Sequence, residues 1–422
     1  MTSDELVDST ASYYLESGDF NGLPAYGVVG KSVASLDELT GLLRPLIERG
    51  VLSVNFGDTH VNPHIRALAD SPIERQLANL NAARTDQFVI YPTATTLEST
   101  VDRNNYTGRP FSLRLALGAP QLEFASFDLA VIDYYRRDPR YRLWTNDVQA
   151  TLSISDDAYL DPAFPEKHKV LIQNFGYSYA TDLRRAVAVF LTDLDHLTPE
   201  HQQLWATHEV EGDYKLHPDF WRAAIMGDWE LKASLRDAFL EELRTVNAMC
   251  EAIGWPRMFH DVPAEPPREL ALLIRPTLAE FNEFVHILDK LISENIDKAF
   301  FPVTIAREDE RVRGDGKVIV TPRGTLKMLD EWLRLKFRTP DPAPLDDMLS
   351  TFREIRRLRQ KPAHAINPDA YDAAFFETQR KLFVRAYDAV RTLRLILQNH
   401  PLARAVADEM DERVREGEIW SY

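Results

Sequence analysis

From Asp369 to Gln398 the chain places Phe375, Leu382, Phe383, Ala386, Ala389, Val390, Leu393 and Ile396 along one side of a single long helix. Asn367-Pro368-Asp369 offers a cap and a first-turn proline at its start, and Asn399-His400-Pro401 stops it. A helix with one continuous apolar stripe needs other elements to cover that stripe, so this segment commits its surroundings to helix packing. Three further segments answer it. Leu278 to Phe300 carries Phe281, Phe284, Val285, Leu288, Leu291 and Ile292, and Thr325 to Phe337 carries Leu326, Met328, Leu329, Trp332, Leu333 and Leu335. The third runs from Leu345 to Arg359, after the breakers Pro340, Pro342 and Pro344, with Asp346 and Asp347 suited to the dipole at its start. These four helices predict an all-α bundle over residues 266–422, and the proline-rich stretch 262–272 marks its boundary.

The preceding residues read differently. Ser35 to Arg49 has a leucine stripe of helical spacing, and Val51 to Phe56 alternates like a strand, which makes residues 1–115 a mixed α/β region. Residues 116–265 read as β-rich, then helical. Phe111, Leu113, Leu115 and Leu117 alternate, Gly118-Ala119-Pro120 turns the chain, and Leu122-Glu123-Phe124 resumes, so a hairpin is expected there. A phase change between Phe124 and Phe127 reads as a bulge, and Val148, Ala150, Leu152 and Ile154 predict another strand. The expected class is α+β: a mixed α/β N-terminal region followed by a C-terminal all-α bundle.

Composition narrows the function classes. The 422 residues are 45% hydrophobic and 27% charged, an ordinary globular balance. The N-terminal MTSDELVDST lacks the features of a signal peptide and no apolar run spans a bilayer, so a cytoplasmic protein without membrane contact is expected. Cys250, the one cysteine, excludes an internal disulfide and reads as a small buried hydrophobe. The net charge of −16 argues against nucleic acid as a whole-chain partner. Its distribution changes that inference, because the excess acid lies in residues 1–265 while residues 266–422 are neutral. Residues 351–394 hold ten basic side chains against five acidic, a local patch that suits a small polyanion footprint such as RNA.

Within that patch Arg359, Gln360, Lys361, Pro362, Ala363 and His364 spell RQKPAH. Arg359 lies two turns beyond Phe352 and continues the stripe of Met348, Phe352 and Ile355, which directs a permanent charge along a face that should be buried. An arginine there needs a partner or a chemical task. One reading has Arg359 cap its own helix and His364 satisfy a backbone group in the turn. An arginine and a histidine separated by four residues arise about once by chance in a chain of this composition, so the helical setting carries the weight.

A four-helix bundle with Arg, a polar residue and then His at the junction of its last two long helices resembles the HEPN superfamily, over about residues 270–400. The resemblance implies a metal-independent RNase with no cofactor, in which Arg359 and His364 match the catalytic pair and Gln360 occupies the supporting polar position. It also implies a homodimer through the third and fourth helices, with an Arg–His pair from each copy. The chemistry suits these residue types. Attack by the 2′-hydroxyl of RNA needs a base that titrates near neutrality, and arginine matches the charge of the transition state. Lys361 and Arg356 are candidate phosphate contacts, and Tyr371 reads as packing.

Weaker candidates lie elsewhere. Asp58, His60 and His64 in GDTHVNPH offer metal-ligand types, but Pro63 breaks the helix that would align them. His201 and His208 read as surface polar residues. Tyr134-Tyr135-Arg136-Arg137-Asp138-Pro139-Arg140-Tyr141-Arg142 interleaves rings and charges as a single-strand binder does, yet reads more readily as a packed aromatic turn with a charged rim. No phosphate-binding glycine loop and no nucleophile elbow is present. Two functions stand: a defence or stress RNase whose N-terminal part senses a trigger, binds a regulatory protein or restrains the nuclease, or a non-catalytic module that dimerises and binds a protein partner.

Overall fold

Sheets occupy the N-terminal part of the protein and helices dominate the C-terminal part, an α+β architecture. The computed structural model describes residues 1–57, 62–146, 148–181, 184–228, 232–338, 340–360 and 368–420. Two compact units result, one of residues 1–144 with 148–224, the other of residues 145–147 with 225–422.

The first unit opens with α1 (Ser3–Glu16), β1 (Leu23–Pro24), α2 (Leu36–Glu48), β2 (Leu52–Phe56) and β3 (Phe88–Pro92). Ser35 caps α2 by accepting from the Glu38 N–H, and Leu39, Leu43, Leu46 and Ile47 bury its stripe. The strands form an antiparallel sheet of order β1-β3-β2, against which these side chains pack with Leu52, Val54 and Ile90. A second sheet follows, built from β4 (Phe124–Phe127), β5 (Tyr141–Thr145), β6 (Gln149–Ile154), β7 (Leu171–Tyr179) and β8 (Arg185–Phe190), in the order β4-β8-β7-β6-β5, with β9 (Lys215–Leu216) on β7. Gly176 at the centre of β7 makes room for the Phe220 ring, because a Cβ there would collide with it.

Two expectations fail here for identifiable reasons. The segment expected to open a hairpin is the helix Pro110–Ala116, which starts with proline in its first turn and buries Phe111, Ser112, Leu115 and Ala116 at helical spacing. Its alternating leucines satisfy a helical face as well as a strand, and the proline decides between them. The bulge expected in Phe124–Phe127 is absent, since β4 pairs in regular register with β8 from Phe124↔Phe190 to Phe127↔Val187. Its apolar residues lose alternation because Ala125, Ser126 and Phe127 are all buried. The irregularity falls instead between Ala150 and Leu152, where β6 pairs with β7.

In the second unit the helices are α3 (Leu235–Ile253), α4 (Leu278–Leu291), α5 (Thr325–Lys336), α6 (Ala343–Gln360) and α7 (Ala374–Gln398). The hairpin β10 (Glu308–Val312) and β11 (Val318–Pro322) lies between α4 and α5. The expected four helices are present, but α3 joins them from upstream of the proline-rich stretch. The unit therefore starts at residue 225 and not at 266. The Phe239 ring of α3 meets Phe383 of α7 at 5.6 Å, and Phe284 of α4 meets the same ring at 5.6 Å. Beside them Arg394 grips Glu242 with two hydrogen bonds, Nε to Oε2 at 2.7 Å and Nη2 to Oε1 at 3.1 Å, while Nη1 donates to Gln398. Both charged side chains are sealed from solvent, at 1% and 0% exposure. Burial pushes the Glu242 carboxyl above its usual pKa, against the pull of Arg394.

The first bundle helix is also shorter than expected. α4 stops at Leu291 rather than at Phe300, because Asn295 and Asp297 give the backbone other partners. The Asn295 carboxamide accepts from the Asp261 N–H and donates to the Asp261 carbonyl, and Asp297 caps the short turn Lys298–Phe300. This early stop gathers Asp289, Ser293 and Glu294 at one end of the helix.

Candidate functional site

α6 presents Met348, Phe352 and Ile355 to the core, each about 1% exposed, and Arg359 follows on the same stripe at 27%. Its guanidinium meets the end of α4. Nη1 donates to Asp289 Oδ2 at 3.0 Å and also to Glu294 Oε1. Asp289 is fully buried, so the charge that continues the stripe of α6 meets a charge that interrupts the stripe of α4. Burial works against the Arg359 charge, yet hydrogen bonds to Glu294 and Asp289 outweigh it and raise the pKa above the usual arginine value. Both contacts use Nη1, and among the described residues no hydrogen bond uses Nε or Nη2.

The cluster has a second layer. Ser293 Oγ donates to Asp289, and Arg356 Nη1 donates to Ser293 Oγ at 3.0 Å and lies 3.7 Å from Asp289. Thr325, the first residue of α5, donates to the Ser293 carbonyl at 2.7 Å. Two arginines and two carboxylates thus join the ends of α4 and α6 beside the start of α5. Arg356, read from the sequence as a phosphate contact, is engaged with Ser293 and Asp289.

Gln360 is exposed at the end of α6. Lys361 and His364 lie outside the described residues. Beyond them the chain returns to the start of α4: the Leu278 N–H donates to the Ala370 carbonyl at 2.8 Å, the Ala279 N–H to Asp369 Oδ1 at 2.9 Å, and the Asp372 N–H to the Pro276 carbonyl at 2.9 Å. Tyr371 is 75% exposed on this crossing and does not pack as expected, because backbone pairing holds the segment.

Much of the local basic charge is matched internally. Arg353 pairs with Asp330 at 2.5 Å, Lys381 with Glu377 at 2.6 Å, Arg385 with Glu354 at 2.7 Å, and Arg394 with the buried Glu242. Arg357 is exposed and bonds none of the described residues. Counting charges along the sequence therefore overstates the potential the folded patch presents.

The remaining candidates resolve into structural roles or fall outside view. Asp58 and His60 lie outside the described residues, and among those described no group of three or more His, Cys, Asp or Glu is placed to hold a metal ion. His201, expected at the surface, is 2% exposed, with Nδ1 2.7 Å from the Tyr135 hydroxyl, which in turn accepts from the Trp205 indole at 3.0 Å. The aromatic-basic segment runs from the end of the helix Ala130–Arg136 through a turn into β5, with Tyr134 48% exposed. Tyr135 and Tyr141 are buried, Arg137 pairs with Asp133 and Arg140 with Asp138, and Arg142 reaches Asp156.

Burial lowers the pKa of His201, and also that of buried His217, below the usual value near 6.5. The unfolded chain then binds these protons first as pH falls, so the stability they contribute is complete above pH 6.5 and declines below it. The melting temperature of the first unit should fall as pH moves from neutral to mildly acidic. A His201→Gln/His217→Gln variant should show a flatter profile; an unchanged slope would assign the acid sensitivity to other groups.

Sequence reasoning missed Asp289, Ser293 and Glu294, although a signal was present. Asp289 falls among Phe281, Val285, Leu288 and Ile292 on an apolar face, as Arg359 does on its own helix. Opposite charges on two buried stripes predict one another. Compared with protein-family models, curated proteins and solved structures, the chain matches none.

Proposed function

We propose that the C-terminal helices form a HEPN-type, metal-independent endoribonuclease in which Arg359 and His364 act on the RNA backbone. The observation that carries this reading is the hold on Arg359. Two carboxylates fix one nitrogen of its guanidinium, while none of the described residues bonds Nε or Nη2, at the end of a helix five residues before the histidine. In the proposed reaction His364 takes the proton of the 2′-hydroxyl, and the 2′-oxygen attacks the adjacent phosphorus. The P–O5′ bond breaks, leaving a 2′,3′-cyclic phosphate and a 5′-hydroxyl once the departing oxygen is protonated. Arg359 offsets the charge that builds on the phosphate oxygens, with Gln360 and Lys361 at the rim. The acidic N-terminal part would sense a trigger, bind a regulatory protein or restrain the nuclease.

A second reading follows from the same two carboxylates. They neutralise Arg359 as a structural lace between α4 and α6, and the bundle is then an interaction module that meets a protein partner. The test is to incubate the full chain with total RNA or tRNA in EDTA, beside Arg359→Ala and His364→Ala variants of verified fold, and to identify the product ends. Cyclic phosphates made by the wild type alone support the nuclease. Equal cleavage by all three, or none under any activating condition, leaves the interaction module.

A further inference from the structure

The hairpin of β10 and β11 is a two-stranded sheet whose outer edges meet no other strand among the described residues. Its hydrogen-bond phase can be read from its ends. The Arg313 N–H donates to the Lys317 carbonyl at 2.8 Å, and the Arg323 N–H to the Arg307 carbonyl at 2.8 Å, so residues 317, 319, 321 and 323 turn their backbone groups inward to β10. Val318, Val320 and Pro322 therefore turn theirs outward. Val318 and Val320 each present on that edge an N–H and a carbonyl that meet no partner among the described residues, and Pro322 presents a carbonyl alone. Their side chains share one face with Val312, and the three valines are 68% (Val312), 53% (Val318) and 48% (Val320) exposed. β11 is exposed along its whole length. An edge of this kind is a template for another strand.

We infer that this edge joins two copies of the chain, β11 to β11, into a four-stranded antiparallel sheet. The composition of the hairpin selects the edge. β10 places Glu308, Asp309 and Glu310 in succession, an acidic run that blunts its edge, whereas β11 from Val318 to Pro322 is uncharged. The backbone also selects the register. Centred on Ile319, Val318 of each copy faces Val320 of the other, all four outward N–H groups find carbonyls and Lys317 faces Thr321. Centred on Val320, Val318 faces Pro322, which has no N–H to give. The strand is thus complementary to itself in one antiparallel register, as a two-fold contact requires. A contact of one short strand is small, so the dimer forms reversibly with concentration. It lies on a surface other than α6 and α7 and does not depend on the nuclease reading.

Sedimentation velocity on the full chain over a wide concentration range should show a reversible rise from monomer to twice the mass. Val318→Lys/Val320→Lys opposes lysine to lysine and should remain monomeric throughout, while Val318→Glu/Val320→Lys opposes unlike charges and should retain dimer. Ile319→Cys places two thiols on the two-fold axis in a non-hydrogen-bonded pair, about 4.5 Å apart at Cα, and should cross-link on oxidation. Cys250 is buried and does not compete. A wild type that is monomeric at every concentration overturns the proposal. So does a dimer that persists in the double-lysine variant while the Ile319→Cys variant fails to cross-link, because the contact is then elsewhere. Loss of dimer in both charge variants overturns the Ile319-centred register.

Discussion

Glu242→Gln and Arg394→Met should each destabilise the bundle unit by about 3–5 kcal/mol, because each leaves the opposite member of a buried ion pair without its partner. For a unit of this size that corresponds to a fall in melting temperature of roughly 6–20 °C. The two losses are not expected to be equal. Without Arg394, burial lets Glu242 take up a proton and become neutral, a route its raised pKa already favours. Without Glu242, the Arg394 guanidinium cannot neutralise and retains, among the described residues, its hydrogen bond to Gln398. Glu242→Gln should therefore be the more damaging. The double variant Glu242→Leu/Arg394→Met exchanges the pair for apolar volume and should recover most of the loss. Native-state hydrogen exchange of α3 and α7 amides reads these free energies directly. If the single losses simply add in the double variant, the pair is not coupled as the geometry requires.

His364→Ala should lower RNA cleavage by about 10²–10⁴-fold if the histidine is the general base of the proposed reaction. Arg359→Ala should cost roughly 10²–10³-fold by removing a donor aimed at the transition-state charge. The informative comparison is Arg359→Lys. A lysine ammonium can satisfy Asp289 or Glu294 as a point charge, but it cannot hold a carboxylate and present a planar fork at the same time. A nuclease predicts that the lysine variant folds and binds RNA yet turns over slowly, with the deficit in kcat rather than KM. A structural lace predicts that lysine restores stability and that no RNA-dependent measurement changes. Unfolding and single-turnover cleavage measured on the same samples separate the two.

What could be read from the sequence follows from which forces are local. α5, α6 and α7 were legible because their apolar stripes repeat within a few turns, and Ser35 and Glu38 act as locally at the start of α2. The expected start of α7 was wrong, since the helix begins at Ala374 without a side-chain cap and Asp369 instead accepts from the Ala279 N–H of α4. Pro110–Ala116 was misread because alternating leucines fit both periods, and only the first-turn proline separates them. The stop of α4 at Leu291 depends on Asn295 reaching Asp261, a contact that local patterning does not encode. The same limit applies to the site. Arg359 stood out as a charge on an apolar face, whereas its partners, Asp289 on α4 and Glu294 just beyond it, sit 70 and 65 positions away, and Asp289 could be found only by asking where an equal and opposite anomaly occurred.

The bundle also sets a schedule for its own synthesis. Glu242 and Arg394 are 152 positions apart, so α3 leaves the ribosome well before the helix that covers it. At typical elongation rates of about 5–20 residues per second, the apolar face of α3 waits on the order of 10–30 s for α7, a window in which chaperones or premature contacts can reach it. The same topology governs how the protein can be cut. A fragment beginning at the proline-rich stretch omits α3, leaves Arg394 without Glu242 and uncovers Phe383. A fragment that preserves the unit must begin upstream of Leu235.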